Sequence, residues 1–364
     1  MNKSDAPSTD VPRTFRTDDG SDAPGGEPGA AATGGGGLPD RPLLRYVLRR
    51  LLAGAATLLA VSFLIFLGTN ALPGNVAEAS LGRNPDPARL AELEQRLGLD
   101  RPLLVRYADW LGDAARGHLG DSAAQLAHGA KSAPISDIIG TPLWNSLVLG
   151  GIAAVLLLPL ALLVGTAAAL RAGRLTDHLL SFGALCLGAL PEFVLGTFLI
   201  ALLFNQLDLL PPVSLVPPGS SPLARPSALV MPVLTLLCAT LAFCARQIRA
   251  GVIESLKQDY VRMARLNGIG ERRVIVRYAL RNSLASSVQT YAQAVQYLLG
   301  GIIVVEALFG YPGIGNVLVH AVQVRDIPMV QAIALALAAL YILINVLADI
   351  VVVLLVPRLR TEWT

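Results

Sequence analysis

Four polar side chains lie in stretches otherwise too apolar to leave them in water: Glu192, Glu306, Asn345 and Asp349. At membrane depth such groups are costly, and they often serve transport or gating. Asn345 and Asp349 are four residues apart and share one helix face. Glu306 precedes Gly310-Tyr-Pro-Gly-Ile-Gly315, where a proline and three glycines cannot continue a helix. The chain is expected to fold back there as a short re-entrant piece, with Glu306 at its base accepting from backbone amides of the turn. The competing reading for Glu306 and Asp349 is a place near an interface, where water solvates them. Isolated acids do not form the continuous relay of a proton-coupled carrier.

Other chemistry is missing from the sequence. There is no GxxxxGK[ST] phosphate loop, so ATP is not bound by that route. His118, His128, His178 and His320 are scattered, and no His/Cys/Asp/Glu set has metal-ligand spacing. Cys186, Cys238 and Cys244 all fall in apolar stretches and read as small packing residues rather than a disulfide framework. No enzyme activity, metal, cofactor or nucleic-acid partner is expected.

The charge is concentrated in Glu254–Asn282. Lys257, Arg262, Arg265, Arg272, Arg273, Arg277 and Arg281 stand there against only Glu254, Asp259 and Glu271. Gly268-Ile-Gly270 divides the run into two short helices. Ahead of the break, Tyr260, Val261, Ala264 and Leu266 make an apolar stripe beside Arg262 and Arg265. Such a helix suits a groove on another protein; the plainer reading is a basic loop that only fixes topology.

The elements that must position these residues are membrane spans. Of 364 residues, 53% are hydrophobic and 15% charged, against about a quarter charged in an average soluble domain. The mean hydropathy is +0.56. Six spans are expected, at about Tyr46–Ala71, Pro142–Leu170, His178–Gln206, Ser227–Ala245, Ser283–Val305 and Pro328–Val356, each near the ~20 residues that cross a bilayer. Arginines at 41, 45, 49, 50, 171, 174, 246, 249, 358 and 360 flank the ends assigned to the cytoplasm, as does the central run, so both termini are expected inside. Residues 72–141 form the one sizeable extracytoplasmic segment, with seven basic and nine acidic residues and hence no basic excess. A helix capped at Asp86 with Leu90, Leu93 and Leu97 as its stripe, and a second over Pro102–Ala115, are expected in it. Residues 1–40 are polar and rich in Gly, Asp, Pro and Ser, which predicts a disordered cytoplasmic tail, and no apolar stretch near Met1 suggests a secretory signal.

The run DYVRMARLNGIGERRVIVRYALRN resembles the cytoplasmic coupling (EAA) loop of ABC-importer permeases, in particular the dipeptide/oligopeptide/nickel family. The matching positions are Asp259, Tyr260, Val261, Arg262, Ala264, Arg265, Gly268, Arg272, Arg273, Val274, Arg277, Ala279, Leu280, Arg281 and Asn282. LGLDRPLLVRYADWL from Leu97, LPEFVLGTFLIALLF from Leu190, EALFGYPGIG from Glu306 and RDIPMVQA from Arg325 resemble further family blocks, in order. The resemblance implies an all-α membrane protein of six transmembrane helices, with a cytoplasmic coupling helix between spans four and five. On this view 41–364 is the transmembrane domain, with the coupling loop at 251–282. The chain would be the permease with the longer extracytoplasmic segment, in a bacterial plasma membrane. Its partners would be a second homologous permease, two ABC ATPase subunits, an extracytoplasmic substrate-binding protein and the lipid bilayer. Asp259, Tyr260, Arg262, Ala264, Arg265, Gly268, Arg272 and Arg273 would carry ATPase coupling, and Glu306, Phe309, Pro312, Gly313 and Gly315 the gate. The substrate would be a di- or oligopeptide, or else a nickel chelate, glutathione or an opine. Where the general loop motif begins Glu-Ala-Ala this chain has Arg262-Met263-Ala264, and Val356 stands before Pro357 where aspartate is usual.

The rivals are a stand-alone secondary transporter and a membrane scaffold. The first needs inverted repeats, and none is evident between 46–206 and 227–356. The second would leave Glu306 and the Pro-Gly turn without a role. Because the tail cannot form a core, deletion of residues 2–38 is expected to leave assembly and uptake within a few-fold of the full chain in reconstituted vesicles. A larger loss of either would show that the tail binds something.

Overall fold

The computed structural model describes residues 42–71, 87–96, 101–217 and 219–355. The expected tail, Asp86, Leu97 and Val356–Pro357 lie outside them, as do the side chains of Leu93, Arg281 and Asn282. The described residues are helical, with one isolated bridge between Asp121 and Pro134 and no strand. In chain order, α1 spans Pro42–Asn70, α2 Pro87–Arg96, α3 Leu103–Ala115, α4 Ala123–Ala127 and α5 Ile135–Leu170. Then come α6 (Leu175–Ala189), α7 (Glu192–Leu199, continued by a π-helical Ile200–Gln206), α8 (Pro226–Leu256) and α9 (Asp259–Leu266). A short turn Glu271–Arg273 and a π-helical Val274–Leu280 lead into α10 (Arg281–Phe309), followed by α11 (Ile314–Gln323) and α12 (Ile327–Leu355).

Five of these helices are long and apolar enough to cross a membrane: α1, α5, α8, α10 and α12. The expected third span is not one straight helix. Its two halves, α6 and α7 with its π-helical continuation, meet at 108° across Leu190-Pro191, so the bundle has six spans only if the bent pair counts as one. Pro191 lacks the N–H that would carry the helix through, and it holds Leu190 in an extended conformation. The second span begins earlier than expected, at Ile135, and carries Pro142 and Pro159 within it.

The core lies where α5, α8 and α10 meet, around Leu149, Leu157, Met231, Leu236, Leu298 and Val305. The central member is α8, with 72% of its span buried inside the protein, against 11% for α1. Small residues let these backbones approach. A Cβ on Gly165 of α5 would lie 2.7 Å from the Ala245 carbonyl oxygen of α8, and one on Gly54 of α1 2.9 Å from Ile342 of α12. A second cluster, Ile135, Ile139, Ile314, Met329 and Ile333, joins the start of α5 to α11 and α12. Of the three cysteines, Cys244 is buried in the core, Cys238 is half-buried and Cys186 is exposed on the chain's own surface.

The segment between the first two spans is fastened to the bundle. Tyr107 and Trp110 of α3 stack with Phe63 and Phe66 of α1, and the hydroxyls of Tyr107 and Ser62 lie 2.9 Å apart. Arg106 donates to Asn70 Oδ1 at 2.9 Å. At the same end Asp326 is buried between two helix starts. It accepts from the Ser122 hydroxyl, from the Ala123 amide (3.1 Å) in α4 and from the Met329 amide (3.3 Å) in α12. One carboxylate therefore serves free N–H groups of both helices.

Gly165→Ala is expected to destabilise the protein by about 1–3 kcal/mol through overpacking against a rigid backbone carbonyl. Gly151→Ala, where a Cβ meets nothing within 4 Å, is expected to be neutral or stabilising by helix propensity. Thermal unfolding of the detergent-solubilised variants checks both; equal midpoints would contradict the close approach.

Candidate functional site

Helix α10 ends at Gly310, which adopts φ 60° as the left-handed terminator while the Tyr311 amide bonds back to the Glu306 carbonyl at 2.9 Å. The chain then turns directly into α11. Glu306 is fully buried, not solvated, and its carboxylate lies against the N-terminus of α11. It accepts from the Gly315 amide at 2.7 Å, from the Asn316 amide and from the Ser146 hydroxyl of α5. Ser146 Oγ in turn accepts from the Ile314 amide at 2.8 Å. Three amides at the start of α11 are thus satisfied by one carboxylate and one hydroxyl, and a negative group is favoured there by the helix dipole.

The adjoining residues close the clasp. Asn145 Nδ2 donates to the Pro312 carbonyl at 2.8 Å, and the Tyr311 hydroxyl donates to the Asn145 carbonyl at 2.9 Å. Phe309 and Tyr311 are fully buried, and the Phe309 carbonyl accepts from the Ser214 amide at 2.8 Å. A Cβ on Gly313 would overlap the Glu306 carboxylate, and one on Gly315 would lie 2.5 Å from Ile303 Cα. Only glycine permits this approach at both positions. The structure therefore brings Glu306, Phe309, Pro312, Gly313 and Gly315 together, with Asn145, Ser146 and Tyr311 as partners that the sequence reading did not single out. The signal for the first two was present, as an adjacent polar pair in an otherwise apolar span.

The other intramembrane polar residues separate. Asn345 Oδ1 accepts from Gln296 Nε2 of α10 at 2.8 Å, whereas Asp349 pairs with Arg50 of α1 at 3.2 Å. Sharing a helix face has not given them a common partner. Glu192, at the start of α7, lies beside the Tyr297 hydroxyl and borders a cavity of about 650 Å³ between α7, α10 and α12.

At the far end of α10, roughly 40 Å of helix away, the basic run folds as two arms. Gly268 takes φ 73° at the turn. Helix α9 points Val261 and Ala264 inward, where they are buried with Val274 against Ile269 and Tyr278. Ala264 is covered by the second arm of its own chain. Arg265 makes a bidentate pair with Glu271 (2.6 and 3.1 Å) that braces the turn and lowers the Glu271 pKa. The exposed apolar side chains are Tyr260, Met263 and Leu266, three residues apart, with Leu266 74% exposed. Asp259, Arg262, Arg272 and Arg273 are exposed around them.

Residues 161–361 match the family model described as the binding-protein-dependent transport system inner membrane component. The chain belongs to this family. Residues 43–134 match the companion N-terminal model. The permease is 30% identical to the metal-staphylopine import system permease protein of Staphylococcus aureus over 87% of this chain and 99% of that one. It is 33% identical to the glutathione transport system permease protein of Escherichia coli and 31% identical to a putative peptide permease protein of Brucella ovis, with the same coverage. It is a multi-pass inner-membrane subunit of an ABC importer of the peptide/nickel group, a class that works in a complex with ATPase and binding-protein partners.

One further contact joins the basic end of the permease. Asp177, near the start of α6 and 2% exposed, receives a bidentate pair from Arg249 of α8 at 2.6 and 2.7 Å and the Gly173 amide at 2.9 Å. The sequence reading began the third span one residue later and passed over it. An acid at the arginine-rich end of an apolar stretch was the available signal.

Replacing Glu306 by Leu leaves the Gly315 and Asn316 amides without acceptors, at a cost of about 1–3 kcal/mol for each buried donor. The variant is expected to reach normal yield, because the span core is untouched, while amide hydrogen exchange rises across 311–320. Unchanged protection of that segment would reject the account.

Proposed function

We propose that the permease pairs with a second homologous permease to form half of the path of a di- or oligopeptide importer, with α9 as the contact through which two separate ATPase subunits drive it. The observation that carries this reading is the build of α9. Its inner face is locked by Val261, Ala264 and Val274, its turn by Gly268 and the Arg265–Glu271 pair, and its outer face offers Tyr260, Met263 and Leu266. A short helix held rigidly by its own chain, with an apolar stripe outside and arginines around it, is suited to a groove with an acidic rim. The arginine-rich end would be cytoplasmic by the positive-inside rule, with both termini on that side. The Glu306 clasp, at the opposite end, would then close the outer mouth of the path, where the binding protein delivers substrate.

Peptide is favoured as cargo because the relatives include a putative peptide permease and a glutathione permease, and glutathione is itself a tripeptide. A metal-chelate cargo is the alternative, after the staphylopine relative. Affinity measurements on the cognate binding protein with a peptide panel and with a metal chelate decide between them; chelate binding without peptide binding would overturn the peptide assignment.

Leu266→Asp should cut binding-protein-stimulated ATPase activity and uptake at least tenfold in proteoliposomes, with subunit yield retained. Gly268→Asp should do the same but adds backbone strain at φ 73°, so the exposed Leu266 is the cleaner probe. Normal stimulation in the Leu266 variant would exclude α9 as the contact.

A further inference from the structure

The Glu192 cavity lies near mid-height of the bundle and opens on its surface, with Tyr297 56% and Tyr341 43% exposed. Glu192 sits against Gly301 of α10, where an added Cβ would be 3.3 Å both from the carboxylate and from Leu236. Leu236 is ten residues inside the start of α8 at Pro226 and thirteen short of Arg249, which places the carboxylate about 15 Å from the start of that helix and about 20 Å from Arg249. A carboxylate at such depth demands a partner. The neighbour it has is the Tyr297 hydroxyl, and no lysine, arginine or histidine lines the cavity.

The remaining lining groups are chemically biased. Gln296 gives one Nε2 hydrogen to Asn345 and keeps its carbonyl oxygen as an acceptor beside the second N–H. The Tyr297 hydroxyl lies beside Glu192, and Tyr341 adds a second aromatic ring to the wall. The cavity therefore offers acceptors, a negative charge and aromatic faces. An alkylammonium group has three donors and no acceptor, and it is attracted to aromatic faces. Gly300 and Gly301 line the same wall, so that turn of α10, between Gln296 and Ile303, leaves space beside its backbone.

We propose that Glu192, with Gln296, Tyr297 and Tyr341, forms a binding station for a substrate ammonium group at the midpoint of the transport path. It rests on the peptide-import reading for its physiological ligand, because a free peptide carries an α-ammonium. The Pro191 bend positions the carboxylate, and the glycine wall gives the passing group access to it.

The test uses the complete importer with Glu192→Gln, which keeps a carbonyl acceptor for Tyr297 and removes the charge. Proteoliposomes are given one peptide with a free amino terminus and the same peptide N-acetylated. Uptake of the free peptide should fall at least tenfold, with uptake of the acetylated peptide and binding-protein-stimulated ATPase activity within twofold of wild type. In a second arm, wild-type complex in nanodiscs is labelled at Glu192 with a hydrophobic carbodiimide and followed by peptide mass. Propylammonium should slow the labelling severalfold, and butanol at the same concentration should not. Equal uptake losses for both peptides, or no loss for either, would overturn the proposal by making Glu192 structural or idle. So would labelling indifferent to propylammonium, as expected if a basic side chain of a partner subunit fills the cavity. If wild type moves neither peptide, the cargo assignment fails separately and the labelling arm alone decides the station.

Discussion

A carboxylate buried without water must be met by donors, and in this permease that constraint shapes one whole end of the molecule. Glu306 meets it by capping α11, the helix that follows its own. For the cap to work, the chain must reverse within four residues, which requires Gly310 in the left-handed region. The backbone must also pass against the carboxylate itself, which requires Gly313 and Gly315. The reversal leaves the Pro312 carbonyl and the Ile314 amide facing α5, and Asn145 and Ser146 are there to meet them. Removing any one member leaves another polar group unpaired in a dry site, so the network holds α5, α10 and α11 in one arrangement.

The same logic recurs at the other cross-links. Asp326 joins α4 to α12 by serving the N–H groups of both, and Asp177 joins α6 to α8 through Arg249. Each carboxylate lies at a helix start, where free amides add to its stabilisation. Apolar packing alone gives helices in a bilayer little preference for one another, because lipid tails are equally apolar. Small residues such as Gly54 and Gly165 supply the close contact, and these few polar links supply the register.

What was legible in the sequence follows from which signals are local. Spans, the turn after Glu306 and the break at Gly268 are read from runs of composition and from glycine and proline, so they emerge at once. The importance of Glu306 was legible because its environment is set by residues within ten positions of it. Its partner Ser146, and Asn145 that holds the Pro312 carbonyl, were not, since they are over 150 residues away and nothing in α5 alone names a target. The intrachain contacts of Ala264 and Arg265 were not legible for a related reason. Periodicity shows that α9 has an apolar face, but which part of that face the chain covers depends on how the second arm folds over it. The bend at Leu190-Pro191 had a visible signal in its proline, yet hydropathy is blind to direction and reads the two halves as one span.

The break in that span has a mechanical consequence for the proposed cycle. Helix α8 runs without interruption from the core into the arm that carries α9, and Arg249 near its end grips Asp177 at the start of α6. In that cycle a displacement of α9 would move α8 and the foot of α6 together. The far end of α6 meets Pro191, where no helical hydrogen bonds stiffen the joint, so the motion would be absorbed there as a change of angle between α6 and α7. Glu192 is the first residue beyond the joint, and Gly196 one turn later abuts Leu308 and Phe309 beside the clasp. A push at the arginine-rich end would thus reach the intramembrane carboxylate and the opposite end through the same short helix, with the proline as the hinge.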